Sequence, residues 1–345
     1  MTQSKNKFSM KSAALALAGG LALTVIAIHY GSGKGPEQLR SENLRIPAQL
    51  DGDYITALTY DPGTAQIVTG FESGHAASTD LQGKAAVVHG HEYRVDHVAV
   101  SHDSNLLATS ASETVIWDRE TGESLATLEN FHGPAVWGQG AEALFVIERS
   151  SVRIYDLTNK RFHSVDARCD GSAMAIALDP TNKVLAAGSS TGRICLWKVL
   201  ETDDFRGLDL IAESNDASRK NHVKALRFAN NGNELLVATA SGGIQRFSVP
   251  DLALKQAKLP QLTTITNADF LNTESGAVAL TGRIRHWDGE EDYFVEVFNL
   301  TTGASEILKA KTSTMNHLAW LPDSHQLIVG NVSKYLVLDV PAGFW

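Results

Sequence analysis

A pattern of about 40 residues recurs along most of this chain and constrains its fold more than any other feature. Each unit reads as an alternating apolar strand, a polar turn, a second apolar strand, a short turn and a third strand. A more polar fourth strand lies between units. The units begin near residues 55, 95, 135, 173, 223, 265 and 315. Because four short strands repeating at this period are typical of β-propellers, the chain is predicted to be an all-β, seven-bladed propeller of four-stranded blades.

Closing such a ring needs one more outer strand than the repeats supply. Seven units provide three inner strands each, but only six outer strands lie between consecutive units. The short run LRIPAQL, residues 44–50, precedes the first unit and reads as a strand. We expect this strand to complete the last blade beside residues 335–340, because such a clasp would cover an exposed sheet edge. The propeller domain is therefore predicted to span residues 44–345.

One unit carries two short motifs that connect it to a known family. Gly90-His91 is followed by Trp117-Asp118, and this GH…WD phrase resembles the signature of WD-repeat (WD40-like) β-propeller proteins. Other units keep fragments of the phrase, such as the tryptophan at Trp197. The resemblance implies that these five are structural repeat residues. It also implies that His91 orients its own blade through a His–Ser/Thr–Trp hydrogen-bond network wherever the necessary residues are present.

The first 43 residues differ in composition from the repeats. Residues 1–11 are basic, residues 12–28 form an uncharged apolar run, and residues 29–43 read as a linker. A basic segment before an apolar run is typical of a secretion signal or a signal anchor. We expect 12–28 to be an uncleaved transmembrane signal anchor, with the N-terminus cytoplasmic and the propeller exported, into the periplasm in a Gram-negative cell. The chain would then be a bacterial-type membrane-anchored or exported family member. Cleavage of a signal peptide, releasing the propeller, is the alternative.

Charge and cysteine content narrow the functional classes. The net charge of −9 argues against nucleic acid as a partner, because neutralising phosphates requires a basic face. The chain has two cysteines, too few for a disulfide framework. Cys169 precedes the fourth unit and Cys195 begins its third strand, so both are expected toward the same face. Either one disulfide bond or two buried thiols fits this placement.

The sequence lacks the usual motifs of catalysis. It contains no GxSxG, P-loop or HExxH motif. His89 and His91 are spaced like a metal-binding pair, but the role of His91 in the repeat explains it more simply. No catalytic residue, metal ligand or cofactor is predicted. The alternative is a propeller hydrolase or quinone-dependent oxidoreductase with a metal or cofactor in the central channel, which would need ligands converging at the inner strands.

One insertion interrupts the period on a face that is expected to bind partners. GRIRHWDGEED, residues 282–292, lies between the second and third strands of the sixth unit. In WD-repeat geometry, that connection lies on the same face as the loop carrying His91. The insertion combines cationic donors with an aromatic ring, the residue types enriched at interface hot spots. The candidate partner-binding residues are Arg283, Arg285, His286 and Trp287.

Two structural alternatives remain for this insertion: Trp287 folds back onto the blade, or residues 283–287 lengthen the strand.

The leading functional hypothesis is a non-enzymatic, membrane-anchored scaffold for protein–protein interaction. The propeller would be monomeric and would bind protein or peptide partners through its loops. Exported or membrane proteins are the expected partners.

Overall fold

Seven antiparallel sheets make up the part of the chain described by the computed structural model, residues 44, 46–81, 84–202, 205–214, 221–241, 243–312, 317–331 and 334–345. The sheets lie in one compact unit, Gln38–Trp345. The anchor expected at 12–28 lies outside the described residues. Within those residues, no helix is long and apolar enough to cross a membrane.

Each sheet is built from strands that are consecutive in sequence, as the repeat predicts. The first three blades contain β1 (Ile55–Asp61), β2 (Gln66–Phe71), β3 (His75–Asp80), β4 (Ala85–Gly90), β5 (His97–Val100), β6 (Leu106–Ser110), β7 (Glu113–Asp118), β8 (Ser124–Glu129), β9 (Ala135–Trp137), β10 (Ala143–Glu148), β11 (Ser151–Asp156) and β12 (Arg161–Arg168). Blades four and five contain β13 (Ala173–Leu178), β14 (Val184–Ser189), β15 (Ile194–Thr202), β16 (Phe205–Glu213), β17 (Val223–Ala229), β18 (Glu234–Thr239), β19 (Gly243–Ser248) and β20 (Leu254–Lys258). The last two contain β21 (Thr264–Asn272), β22 (Ala277–Arg285), β23 (Glu291–Asn299), β24 (Ser305–Thr312), β25 (His317–Leu321), β26 (Gln326–Asn331) and β27 (Lys334–Asp339).

The second strand of a blade is buried on both faces, because each blade packs between two neighbours. In β18 all six residues are buried, and in β2 five of six are. A strand covered on both sides reads as a continuous apolar run instead of an alternating one. This packing explains the run of apolar residues that follows the first polar turn of each repeat.

The last blade meets the first and closes the ring. Leu321, Ile328 and Tyr335 of the seventh blade share one hydrophobic cluster with Ile67 of the first blade. The Tyr335 hydroxyl also lies 2.6 Å from Thr69 Oγ1 across this junction. The prediction of an all-β, seven-bladed propeller is confirmed.

The segment before the first blade differs from the expected strand over 44–50. Ala48–Leu50 form a 3₁₀ helix, in which the Leu50 N–H donates to the Pro47 carbonyl at 2.8 Å. Pro47 has no N–H to offer a sheet ladder, so the chain turns here before entering β1.

The seventh sheet, β25–β27, has three strands among the described residues, and the other six have four. Leu44 and Ile46 pack against the cluster that contains Tyr335. The segment therefore packs at the junction of the first and seventh blades. Its pairing with residues 335–340 remains a prediction, and any such pairing must come from residues before Ala48.

Cys169 and Cys195 form a disulfide bond, with their Cα atoms 5.9 Å apart. Cys169 follows β12 of the third blade, and Cys195 lies in β15 of the fourth. Both sulfurs belong to a cluster that also contains the fully buried Trp197. Of the two alternatives left open by the sequence, the structure has the bridge, which ties two adjacent blades together.

Candidate interaction surface

The unit with the GH…WD phrase contains a buried hydrogen-bond network. His91 Nε2 lies 2.5 Å from Thr109 Oγ1, and Trp117 Nε1 donates to the same hydroxyl oxygen at 2.7 Å. Burial lowers the pKa of His91 to about 4, so its imidazole is neutral at pH 7. A neutral ring can accept the hydroxyl proton of Thr109 while that oxygen accepts from tryptophan. His91 thus links the loop before the second blade to two strands of that blade.

The other residues of the phrase also lie in structural positions. Gly90 ends β4, and Asp118 ends β7. The Asp118 carboxylate accepts the backbone N–H groups of Glu120 and Thr121 at 3.0 and 2.8 Å. Asp118 therefore organises the turn between the third and fourth strands, which is the local role that Asp has in many turns.

Hydrogen bonds near His91 define which connections share a face. The His91 N–H donates to the Gly74 carbonyl at 2.8 Å, so the turn between β2 and β3 touches the loop between blades one and two. Gly74 has a φ of +89°, and a Cβ there would lie 2.6 Å from the His91 carbonyl oxygen. Only glycine fits this close approach. Loops between blades and turns between second and third strands therefore lie on one side of the ring, called here the His91 face.

The insertion in the sixth blade forms a long hairpin on the His91 face. β22 runs to Arg285, where it pairs with Glu291 at the start of β23. The turn between them is closed by the His286 N–H, which donates to the Glu290 carbonyl at 2.8 Å. Both strands have nine residues, compared with six in β2 and β3. The first part of the insertion therefore lengthens the strand, and the remainder forms a projecting tip.

Of the four candidate residues of this hairpin, two pair with carboxylates and two are presented to solvent. Arg283 Nη1 donates to Glu291 Oε2 at 2.5 Å, and His286 Nε2 lies 3.2 Å from Asp292 Oδ2. Trp287 does not fold back onto the blade, because it is 98% exposed. The Arg285 side chain has no hydrogen bond or ion pair with any described residue. An aromatic ring and a free guanidinium are thus presented to solvent together.

Two further exposed aromatic residues lie on the His91 face, and the sequence argument did not single them out. Tyr54 and Tyr93 are each 57% exposed, in the segments that lead into the first two blades. Next to Tyr93, Arg94 pairs with Asp96 at 2.7 Å and with Glu72 at 3.7 Å. The exposure of these tyrosines depends on the conformation of their loops, which the repeat pattern in the sequence does not predict.

The interface between the first two blades also contains an ion pair that, unlike the exposed pairs of Arg94, is buried. Arg119 Nη1 donates to Asp61 Oδ2 at 2.5 Å and to the Ser104 carbonyl at 2.7 Å. His89 lies beside this pair, with its ring centroid 4.8 Å from that of Trp117. Among the described residues, neither ring nitrogen of His89 has a hydrogen-bond partner. We call Asp61, His89, Ser104, Trp117 and Arg119 the blade 1–2 seam.

The inner strands surround a central channel that could in principle hold a metal or cofactor. No group of three or more His, Cys, Asp or Glu side chains suited to a metal ion occurs among the described residues. The carboxylates that line the channel, Asp96 and Asp269, are each engaged by an arginine, Arg94 and Arg227.

Comparisons with known proteins agree with this architecture. Residues 161–198 match the family described as WD domain, G-beta repeat; they span the outer strand of the third blade and three strands of the fourth. No curated protein matches the chain. Among the solved structures that match is the crystal structure of the Myceliophteria thermophila Cps50 (Swd1) β-propeller domain. It is 15% identical, with a TM-score of 0.67, and the match covers 84% of this chain and 97% of that one. The chain thus has the β-propeller fold, and one of its segments matches a WD40 repeat.

Proposed function

We propose that this protein is a non-enzymatic scaffold that binds a partner protein through the tip of the blade-six hairpin. The observation that carries the proposal is the 98% exposure of Trp287 beside Arg285, whose side chain is unpaired among the residues that the structure describes. Isolated tryptophans are rarely left so exposed on a soluble surface, and Trp and Arg are the residue types enriched at binding hot spots. The paired strands beneath the tip hold both side chains on a rigid support.

The chemistry of the tip indicates what the partner offers. An indole ring fits an apolar pocket and buries about 200 Å² of surface there. A guanidinium with no partner of its own favours a carboxylate, which it can bind with two parallel hydrogen bonds. The partner surface is therefore expected to present an apolar pocket next to an Asp or Glu side chain.

The location of the complex follows from the N-terminal sequence. A basic segment followed by the apolar run 12–28 supports a single membrane anchor that exports the propeller. An exported or membrane protein is then the expected partner. Fractionation tests this part: the full chain should sediment with membranes and resist carbonate extraction, whereas deletion of 12–28 should release it. A full chain recovered in the soluble fraction would contradict the anchor.

Affinity capture from those membranes tests the binding role. The double variant Trp287→Ala, Arg285→Ala should lose at least 2 kcal/mol of binding free energy, about 30-fold in affinity, because hot-spot residues contribute that much. Leu254→Ala is a matched control, since Leu254 is 55% exposed but lies in the outer strand β20. Equal capture by the double variant and the wild type would show that the hairpin is not the binding site.

A further inference from the structure

The central channel contains a cavity of about 340 Å³ among the inner strands. Polar and charged groups make up most of the surface that the cavity exposes, because apolar lining residues such as Leu226 and Phe270 are buried between blades. Met174, also in the wall, is 38% exposed, so the cavity is open to solvent. A cavity of this size with a polar lining suits a small polar or charged group.

Charges in the cavity wall are balanced except at one residue. Arg94 binds Asp96 at 2.7 Å, and Arg227 binds Asp269 at 3.2 Å. The second Asp269 oxygen accepts the Trp320 N–H at 3.0 Å. Both carboxylates are therefore satisfied by neighbouring residues of the ring and do not depend on a ligand.

Lys224 is the exception. Its side chain is partly buried in the wall and has no hydrogen bond or ion pair with any described residue. Burial without a counter-ion disfavours the ammonium form and lowers the pKa of Lys224. The same register position in the first and fourth blades holds Thr56 and Met174. The fold therefore does not require a lysine here.

Two histidines lie in the same wall. His97 and His317 occupy the strand position that Ala57 occupies in the first blade. His97 pairs with Ser110, His317 with Gly330 and Ala57 with Gly70, and these three partners are equivalent residues of the second strands. Since β1 lies between β25 and β5 in the ring, the two imidazoles flank the small side chain of Ala57. Burial and the nearby His97 lower the pKa of His317 to about 4. Both residues line the cavity, and a neutral imidazole has one N–H donor.

We propose that this cavity binds a carboxylate, with Lys224 as its counter-ion and His97 and His317 as further hydrogen-bond donors. The carboxylate can belong to a free small acid or to an Asp or Glu side chain of a bound peptide. A single cation without an ion pair among the described residues matches a monoanion, whereas a dianionic phosphate would carry one charge that this lysine does not balance. This site lies in the channel and does not depend on the Trp287 hairpin.

Binding measurements on the full-length chain in detergent test the proposal. The probes are butyrate and the peptide Ac-Gly-Glu-Gly-NH2, each compared with its amide, butyramide or Ac-Gly-Gln-Gly-NH2, by ligand-observed NMR. At least one carboxylate should bind about tenfold more tightly than its amide, because a hydrogen bond to a charged group contributes that much. Binding of the peptide alone assigns the ligand to a peptide side chain, and equal binding of butyrate assigns it to a free acid. Inorganic phosphate should bind more weakly than either.

Lysine variants complete the test. Lys224→Met should reduce carboxylate affinity about tenfold, and Lys224→Arg should retain most of it. Lys183→Met is the matched control, since Lys183 is an exposed lysine in the turn after β13. Unchanged melting curves for all three variants establish that each is folded. The proposal is overturned if no carboxylate binds, if the amides bind equally, or if Lys224→Met leaves the affinity unchanged in the folded protein.

Discussion

Two arginine–carboxylate pairs in this propeller have the same length but different surroundings. Arg119 and Asp61 in the blade 1–2 seam, and Arg283 and Glu291 in the blade-six hairpin, are both joined at 2.5 Å. The side chains of the first pair are 6% and 4% exposed, and those of the second are 38% and 31% exposed. Their equal N–O distances alone would predict equal contributions to stability, but the two pairs differ in burial.

The difference follows from solvation. In the seam, water cannot replace a lost partner, so removing one charge leaves the other buried and unpaired. At the hairpin, water solvates either group, and the net gain of an exposed pair is small. The seam therefore depends on its ion pair for stability, whereas the hairpin is free to present its side chains to a partner. Three substitutions test this contrast, in order of decreasing effect.

The largest effect is expected for Arg119→Met, which keeps most of the side-chain volume but removes the charge. Asp61 would keep its hydrogen bonds from Thr64 and Ser104, at 2.6 and 2.8 Å, but would lose its counter-ion. We expect a loss of about 3–5 kcal/mol in the free energy of unfolding, measured by urea denaturation.

A double variant separates lost charge from lost packing. Asp61→Asn in the Arg119→Met background removes the uncompensated carboxylate, so it should recover part of the lost stability. If Arg119→Met costs less than 1 kcal/mol, the seam behaves like an exposed pair and the contrast with the hairpin fails.

An intermediate effect is expected for His89, the seam residue without hydrogen-bond partners. Burial, together with the charges of Arg119 and His91, lowers the pKa of His89 to about 4. Its ordinary pKa is 6.5, so between these values the unfolded chain binds a proton that the folded chain excludes. Folding stability therefore falls as the pH decreases from about 7 to about 4, and the loss is constant at lower pH.

His89→Phe should remove this cost while preserving the ring contact with Trp117. We expect the variant to be more stable than the wild type by about 2 kcal/mol at pH 5, with a smaller difference at pH 8. His91 and His317, whose pKa values are also lowered to about 4, and His97, whose pKa burial also lowers, contribute to the pH dependence that remains in the variant. His102→Phe is the control, because His102 is exposed. Parallel pH profiles for His89→Phe and wild type would contradict the assignment.

The same contrast shows which features of the structure could be predicted from the sequence. The period, the strand order and the location of the 282–292 insertion are properties of short stretches, and the structure contains all three. The seam pair joins residues 58 apart in sequence, across two blades, so no local pattern could indicate it. Even the strand register does not tell which arginine of the hairpin is free, because Glu291 lies opposite Arg285 but its side chain pairs diagonally with Arg283. The strand expected over 44–50 differs from the structure at 48–50, where Pro47 accepts a local hydrogen bond and turns the chain.

The smallest effect is expected for Arg283→Met, the hairpin counterpart of Arg119→Met. Glu291 would be left with a partly exposed carboxylate that water can solvate, so the free energy of unfolding should change by less than about 1 kcal/mol. The nine-residue strands would still be held by their backbone hydrogen bonds, and the Trp287 tip should keep its exposure. Because the chain has six tryptophans, that exposure is measured as the difference in acrylamide quenching between proteins with and without Trp287→Phe. A large loss of stability, or a Trp287 newly protected from quencher, would mean that the Arg283–Glu291 pair holds the tip in place, and the hairpin would then resemble the seam instead of contrasting with it.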